Sequence, residues 1–196
     1  MKSLLACTLC LSISASVVVA QVTPTTPTTT TTTPGTTTTG GATEKPKPIS
    51  TTDRSFLKKS LDTMYFLTNL TDRHKRDKFK SEDVKKLAEK MNTDINKIWG
   101  ELDNYSTEAN DALPSKLSGG DEGKAKRLAK QEDEKYDKEF LKLAGKESEQ
   151  LSRYFESAAK SSQHPQIKQV ASNWSVTLKS HADEIENLEK AANKAK

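Results

Sequence analysis

The chain has 196 residues, with 31 Lys and Arg against 27 Asp and Glu and a formal net charge of +4. Lys2, Lys45, Lys47 and Glu44 lie before residue 51, so the segment 51–196 holds 28 basic and 26 acidic residues. A nucleic-acid-binding domain concentrates basic residues on one face, whereas charges of both signs alternate along this segment. We therefore expect no nucleic-acid partner and a single domain of ordinary size.

Residues 1–20 have the pattern of a secretory signal peptide: a short basic start, an apolar stretch interrupted by serines, and small residues before the boundary at Ala20. Its position and composition favour a cleaved signal over a membrane anchor. Cleavage would leave Gln21 first, and the mature chain would be exported to the periplasm, the cell surface or the extracellular space. Because Cys7 and Cys10 both lie in this segment, we expect no disulfide and no cysteine metal site in the mature chain. No later stretch could span a bilayer, so we also expect no transmembrane segment there.

Residues 21–50 predict a disordered linker rich in threonine and proline. Between residues 23 and 48 there are 14 threonines and 5 prolines, a composition that cannot bury enough apolar surface to offset the entropy of ordering. At roughly 3 Å per residue such a segment could hold the next domain up to about 80 Å from its own start. It fits either a cell-surface stalk open to O-glycosylation or a plain spacer.

Residues 51–196 predict four amphipathic helices, since they are rich in Lys, Glu, Ala and Leu and contain few glycines and prolines. The helices are expected from an N-cap at about Asp53 to His74, from just after Ser81 to about Glu108, from about Lys124 to Ala159, and from Pro165 almost to the C-terminus. Pro114 and the glycines at 119, 120 and 123 predict an extended break before the third helix. With mostly short loops, the fold class is all-α: an antiparallel up-down four-helix bundle.

The inward stripe of the last helix contains the one histidine that is predicted to be buried. This stripe alternates steps of three and four residues: Ile167, Val170, Trp174, Leu178, His181, Ile185, Leu188 and Ala192. If the turn between the first two helices and the turn between the last two lie at one end of the bundle, Asp94 and Glu147 fall within roughly one helical turn of the level of His181. Glu184 lies one turn further along the same side of its helix.

Two interpretations of this layer remain open. The favoured one is a polar core pair of Glu147 and His181, because buried charges need partners. The alternative is a mononuclear metal site in which His181, Glu147, Asp94 and Glu184 bind a divalent ion such as zinc, iron or manganese. A diiron site is not expected, since the domain contains no Glu-x-x-His sequence.

The sequence contains no recognisable catalytic constellation. The mature domain has no cysteine nucleophile, its histidines are dispersed, and it has no glycine-rich phosphate loop. His74 and His164 are expected to cap helix ends or to be exposed. The locally basic segment Arg73–Lys80 is interpreted as a solvated helix end, with contact to an anionic lipid or glycan surface as the alternative. We therefore expect neither catalysis nor a cofactor.

Five stretches resemble the DUF4142 family of exported bacterial proteins: "DRSFLKKSL", "DVKKLAEKMNTD", "YDKEFL", "YFESAAKSSQHPQIKQVAS" and "LKSHADEIENL". The resemblance covers about residues 53–190. It implies a ferritin-like four-helix bundle and an export route, and members of the family are often labelled outer membrane proteins. It implies no defined activity.

The family often has Asp-His on its second helix and one histidine on each of the last two. By that resemblance Asp94 and His181 match the pattern, whereas Ile95 and Ser148 stand where the other two histidines would be. The expected function is therefore a non-catalytic module of the bacterial envelope or cell surface, with an unidentified partner there. The alternative is a metal-binding ferritin-like protein.

Overall fold

The structure, a computed structural model, describes residues 48–109 and 113–194, and these residues form five α-helices. The helices are α1 (Thr51–Leu70), α2 (Glu82–Glu108), α3 (Gly119–Ala129), α4 (Asp133–Ser161) and α5 (Pro165–Lys194), with a 3-10 helix at Arg73–Lys78. Within those two ranges there is no strand, so the predicted all-α class is confirmed. The predicted signal peptide and all but the last three residues of the predicted linker lie outside the described residues.

The four long helices form a ring in which α1 packs against α2 and α4, and α5 packs against the same two helices. Ser162 Oγ donates to Asp53 Oδ1 at 2.6 Å, so the end of α4 lies beside the start of α1. The backbone N–H of Ser81 donates to Asp137 Oδ2 at 2.7 Å, so α2 and α4 start at the same end. Every neighbouring pair in the ring is therefore antiparallel, as predicted, while α2 and α4 run parallel across the diagonal.

The chain connects α2 to α4 by a crossover that climbs the length of the bundle. Tyr65 Oη donates to the backbone carbonyl of Ser115 at 3.0 Å, and Lys78 Nζ donates to the carbonyl of Ala129 at 2.8 Å, so the crossover ascends alongside α1. The α1–α2 and α4–α5 turns consequently lie at opposite ends, and the supposition that they share an end is wrong. One long crossover of this kind is typical of ferritin-like bundles.

The prediction of a single third helix from Lys124 to Ala159 is also wrong, because the structure contains two helices there. Ser118 Oγ accepts from the backbone N–H of Asp121 at 3.2 Å and donates to its Oδ2 at 2.7 Å. This reciprocal cap starts α3 in spite of the glycines that follow. Asp133 then opens α4 with a φ of 50°, a left-handed conformation that Asp tolerates better than most residues.

The first helix begins slightly earlier than predicted. Ser50, not Asp53, is its N-cap: Ser50 Oγ accepts from the backbone N–H of Asp53 at 3.1 Å, and Asp53 lies in the first turn. Ile49, which falls within the predicted linker, packs in the hydrophobic core. Packing therefore begins at least two residues before the predicted boundary.

The predicted apolar stripes form the core, and α4 and α5 approach each other closely at one glycine. The helix α4 continues through Gly145, where an added Cβ would lie 3.0 Å from Ile185 Cγ2. Real Cβ atoms rarely come that close to a neighbour. Gly145 therefore permits the short separation between the two helices at mid-height.

A matched pair of glycine substitutions tests this packing. Gly100 lies at an exposed position inside α2, and a Cβ added there would have nothing within 4 Å, so Gly100→Ala should raise the free energy of unfolding by about 0.5–1 kcal/mol. Gly145→Ala should lower it by about 1 kcal/mol or more, because the new methyl group meets Ile185. Urea unfolding of both variants measures the difference, and an equal gain for both would contradict the close approach.

Candidate functional site

His181 is buried at the interface between α5 and α2, with only 1% of its surface exposed. Its Nε2 lies 3.1 Å from Asp94 Oδ2, and Asp94 Oδ1 lies 3.4 Å from Lys97 Nζ. Because a carboxylate accepts hydrogen bonds, this contact assigns the ring proton to Nε2. Nδ1 is then an acceptor, and it is buried without a hydrogen-bond partner among the described residues.

The surroundings of His181 favour its neutral form. Burial lowers the pKa of His181 below its ordinary value, because the charged ring would lose its hydration. The Asp94 carboxylate opposes this shift, and the Lys90 ammonium adds to it. At neutral pH the pair is therefore a neutral imidazole that donates to a carboxylate.

The predicted pair of Glu147 and His181 is wrong. Glu147, 8% exposed, has its Oε1 3.0 Å from Lys124 Nζ on α3. Both residues lie near the middle of their helices, but α4 presents Glu147 to the crossover, whereas α5 presents His181 to α2. Similar height along the bundle did not place the two side chains on facing surfaces.

Two of the four residues predicted as metal ligands are brought together. His181 and Asp94 are in contact, whereas Glu147 pairs with Lys124, and Glu184 Oε2 lies 2.9 Å from Lys90 Nζ. Among residues 48–109 and 113–194, no group of three or more His, Cys, Asp or Glu side chains is arranged to hold a metal ion. Metal binding by these four residues stays a prediction.

The His181–Asp94 contact is the middle one of three polar contacts between α2 and α5. The contacts are Trp174 Nε1 with Glu101 Oε1 (3.0 Å), His181 with Asp94 (3.1 Å), and Lys90 Nζ with Glu184 Oε2 (2.9 Å). The first two are seven residues apart on both helices, which returns them to the same face after two turns. Trp174 packs against the core as predicted. Its hydrogen bond to Glu101 was not predicted, although the seven-residue spacing from His181 and Asp94 could have indicated it.

Asp137 is a buried carboxylate that was not predicted as a functional residue. Its two oxygens accept from the backbone N–H groups of Lys80 (3.1 Å) and Ser81 (2.7 Å), so a side chain of α4 satisfies amides at the start of α2. Burial raises the pKa of Asp137, and the two hydrogen bonds oppose that shift. The contact holds two helix starts together at one end of the bundle.

His164 caps α5 at the other end. Its Nδ1 is 3.5 Å from the backbone N–H of Ile167, and its ring lies edge-on to Tyr105 at 5.4 Å between centroids. Capping was one of the two predictions for this residue. The other, exposure, is wrong, since His164 is 3% exposed.

Several basic side chains of the segment Arg73–Lys80 contact other residues of the same chain. Lys75 Nζ donates to the carbonyl of Asn69 at 2.6 Å and to its side-chain oxygen at 2.8 Å. Arg76 Nη1 lies 3.2 Å from Glu89 Oε1, and Lys78 binds the Ala129 carbonyl. These contacts connect the 3-10 helix to its neighbours. Anionic surface binding by this segment remains a prediction.

Fold and site together define an all-α bundle with one long crossover and a histidine–carboxylate pair between two of its helices. None of the helices in the two described ranges is both long and apolar enough to cross a lipid bilayer. The family model described as "Domain of unknown function (DUF4142)" matches residues 39–188, and the chain belongs to that family. Comparisons with curated proteins and with solved structures give no match.

The environment of His181 predicts a pH-dependent contribution to stability. As pH falls through about 6.5, the unfolded state protonates this histidine more readily than the folded state, in which burial lowers its pKa, so acidification favours unfolding. Between about pH 7.5 and about pH 5.5, the wild type should lose more stability than His181→Gln, which cannot titrate there. Urea unfolding at both pH values measures this. The same loss in both proteins would show that His181 does not carry the effect.

Proposed function

We propose that this protein is an exported, non-catalytic helical bundle that acts as an interaction or structural module of the bacterial envelope or cell surface. One observation carries the proposal: the ionisable side chains at mid-bundle bind other helices of the same chain. His181 binds Asp94 across α5 and α2, and Glu147 binds Lys124 across α4 and α3. Chemistry at these groups would require a substrate to displace contacts that hold the fold together.

The surface of the bundle supports the same proposal. Exposed ion pairs one turn apart mix both signs along the helices: Lys58–Asp62 on α1, Arg153–Glu149 on α4, and Lys179–Asp183 and Lys190–Glu186 on α5. Each such pair contributes little to stability. Together they give a hydrated surface without a large field of one sign, which suits a protein that must remain soluble outside the cytoplasm.

Export rests on the sequence of residues 1–20 and is tested by expressing the full chain with a C-terminal tag in a bacterial host. We expect the intact mass of the recovered protein to lack residues 1–20 and the protein to leave the cytoplasmic fraction. Ala20→Leu should retain the segment, because a large side chain blocks the cleavage position. Wild-type protein that keeps residues 1–20 and stays in the cytoplasm would contradict the proposal.

The second candidate is metal binding, and the His181–Asp94 pair is the observation in its favour. An imidazole and a carboxylate lie side by side, and a buried Nδ1 has no hydrogen-bond partner among the described residues. A protein site for zinc usually supplies three or four ligands, however. Glu184 and Glu147 would have to leave Lys90 and Lys124 to complete it, so the donors as arranged fit a metal ion poorly.

Elemental analysis separates the two candidates. For the first, we expect purified wild type to carry less than one equivalent of zinc, iron or manganese and to unfold at the same urea concentration with or without a chelator. His181→Gln, which keeps a polar side chain of similar size, is the matched variant. One equivalent of metal that is present in wild type and lost in His181→Gln would establish the second candidate instead.

A further inference from the structure

The crossover between α2 and α4 includes a segment, Leu113–Ala129, that we call the strap. Its helix, α3, packs only lightly on the outside of α1 and α4. We propose that the strap detaches from the bundle as a unit while the four long helices stay folded, and that Lys124 is the side chain that holds it closed. Such a conformational change is separate from the proposed function and does not depend on it.

The strap is attached by little apolar surface. Leu128 is the one buried side chain of α3, and Leu117 and Ala125 are partly buried against the core, whereas α4 buries twelve residues. An isolated helix of 11 residues is marginal in water, and glycines at 119, 120 and 123 weaken this one further. The helix therefore depends on its few contacts with the bundle.

Lys124 provides the central contact. Its Nζ lies 2.8 Å from Asp121 Oδ1 within the strap, 3.0 Å from Glu147 Oε1 on α4, and 5.2 Å from the ring centroid of Phe66 on α1. The ammonium is thus the counter-charge of a nearly buried carboxylate and lies over an aromatic face. One side chain joins the strap to both helices beneath it.

The two ends of the strap are held more weakly. Tyr65 Oη donates to the Ser115 carbonyl, and Lys78 Nζ donates to the Ala129 carbonyl, in hydrogen bonds that are both exposed to solvent. Water can replace such bonds at little net cost. Opening of the strap therefore depends mainly on separating Lys124 from Glu147 and Phe66 and on exposing Leu128.

Opening would uncover an acidic and apolar surface formed by Glu147 and Phe66, which the closed strap covers. Because an ion pair holds the strap and the Lys124 side chain is partly exposed, salt should favour opening by a small amount through screening of the attraction between the ammonium and the carboxylate. Regions that open independently in this way are recognised by amide hydrogen exchange.

Hydrogen exchange measured by mass spectrometry on the full chain tests the proposal. In wild type we expect α3 to exchange faster than α1, α2, α4 and α5, and added salt to accelerate α3 alone. Lys124→Gln should increase exchange in α3 by about tenfold or more without changing the long helices. The matched control is Lys126→Gln, since Lys126 is exposed and pairs with Glu122 inside α3 at 2.6 Å, and it should have a much smaller effect.

A double substitution tests the partner of Lys124. If the pair with Glu147 holds the strap, Glu147→Gln should accelerate exchange in α3, and combining it with Lys124→Gln should add little. The salt response should disappear in both single variants. Exchange of α3 at the same rate as the long helices, or equal acceleration of all five helices by Lys124→Gln, would overturn the proposal. The wild-type salt series tests the proposal even if a variant fails to fold, because acceleration of the long helices together with α3 would also overturn it.

Discussion

An ionisable side chain on a buried helix face needs a partner on another part of the chain, because an unpaired buried charge is far more costly than an exposed one. Four buried ionisable groups in this bundle each contact another element of the fold. His181 binds α2, Glu147 binds α3, Asp137 binds the start of α2, and Asp53 binds Ser162 after α4. A ring in which α2 and α5 were not neighbours would separate His181 from Asp94, and one in which α1 and α4 were not neighbours would separate Asp53 from Ser162. These contacts therefore stabilise the observed arrangement of the helices together with the apolar stripes.

The long helices could be predicted from sequence because their stripes are periodic and their start signals are strong. Ser81 and Pro165 marked helix starts that the structure places within a residue. The crossover could not be predicted, because the glycines around residue 120 normally end helices. The cap between Ser118 and Asp121 starts α3 in spite of these glycines. It spans only four residues, which makes it a weak signal in the sequence.

The burial of His181 followed from its place in the stripe, but its partner did not. A buried histidine needs a partner, but which residue is the partner depends on how the helices are arranged. A carboxylate on a flanking position, Asp94, and one on a stripe, Glu147, were equally available by height along the bundle. The facing of the helices decided between them, because α5 presents His181 to α2, which carries Asp94, whereas α4 presents Glu147 to Lys124 on the crossover.

The crossover also determines where the two ends of the domain lie. Ser50 lies at the end of the bundle that holds the α4–α5 turn, while α5, 30 residues or about 45 Å long, finishes at the opposite end. The start of α1 therefore lies at the Tyr105–His164 end of the bundle. The basic 3-10 helix and the last turn of α5 lie together at the opposite end, about the length of one long helix away.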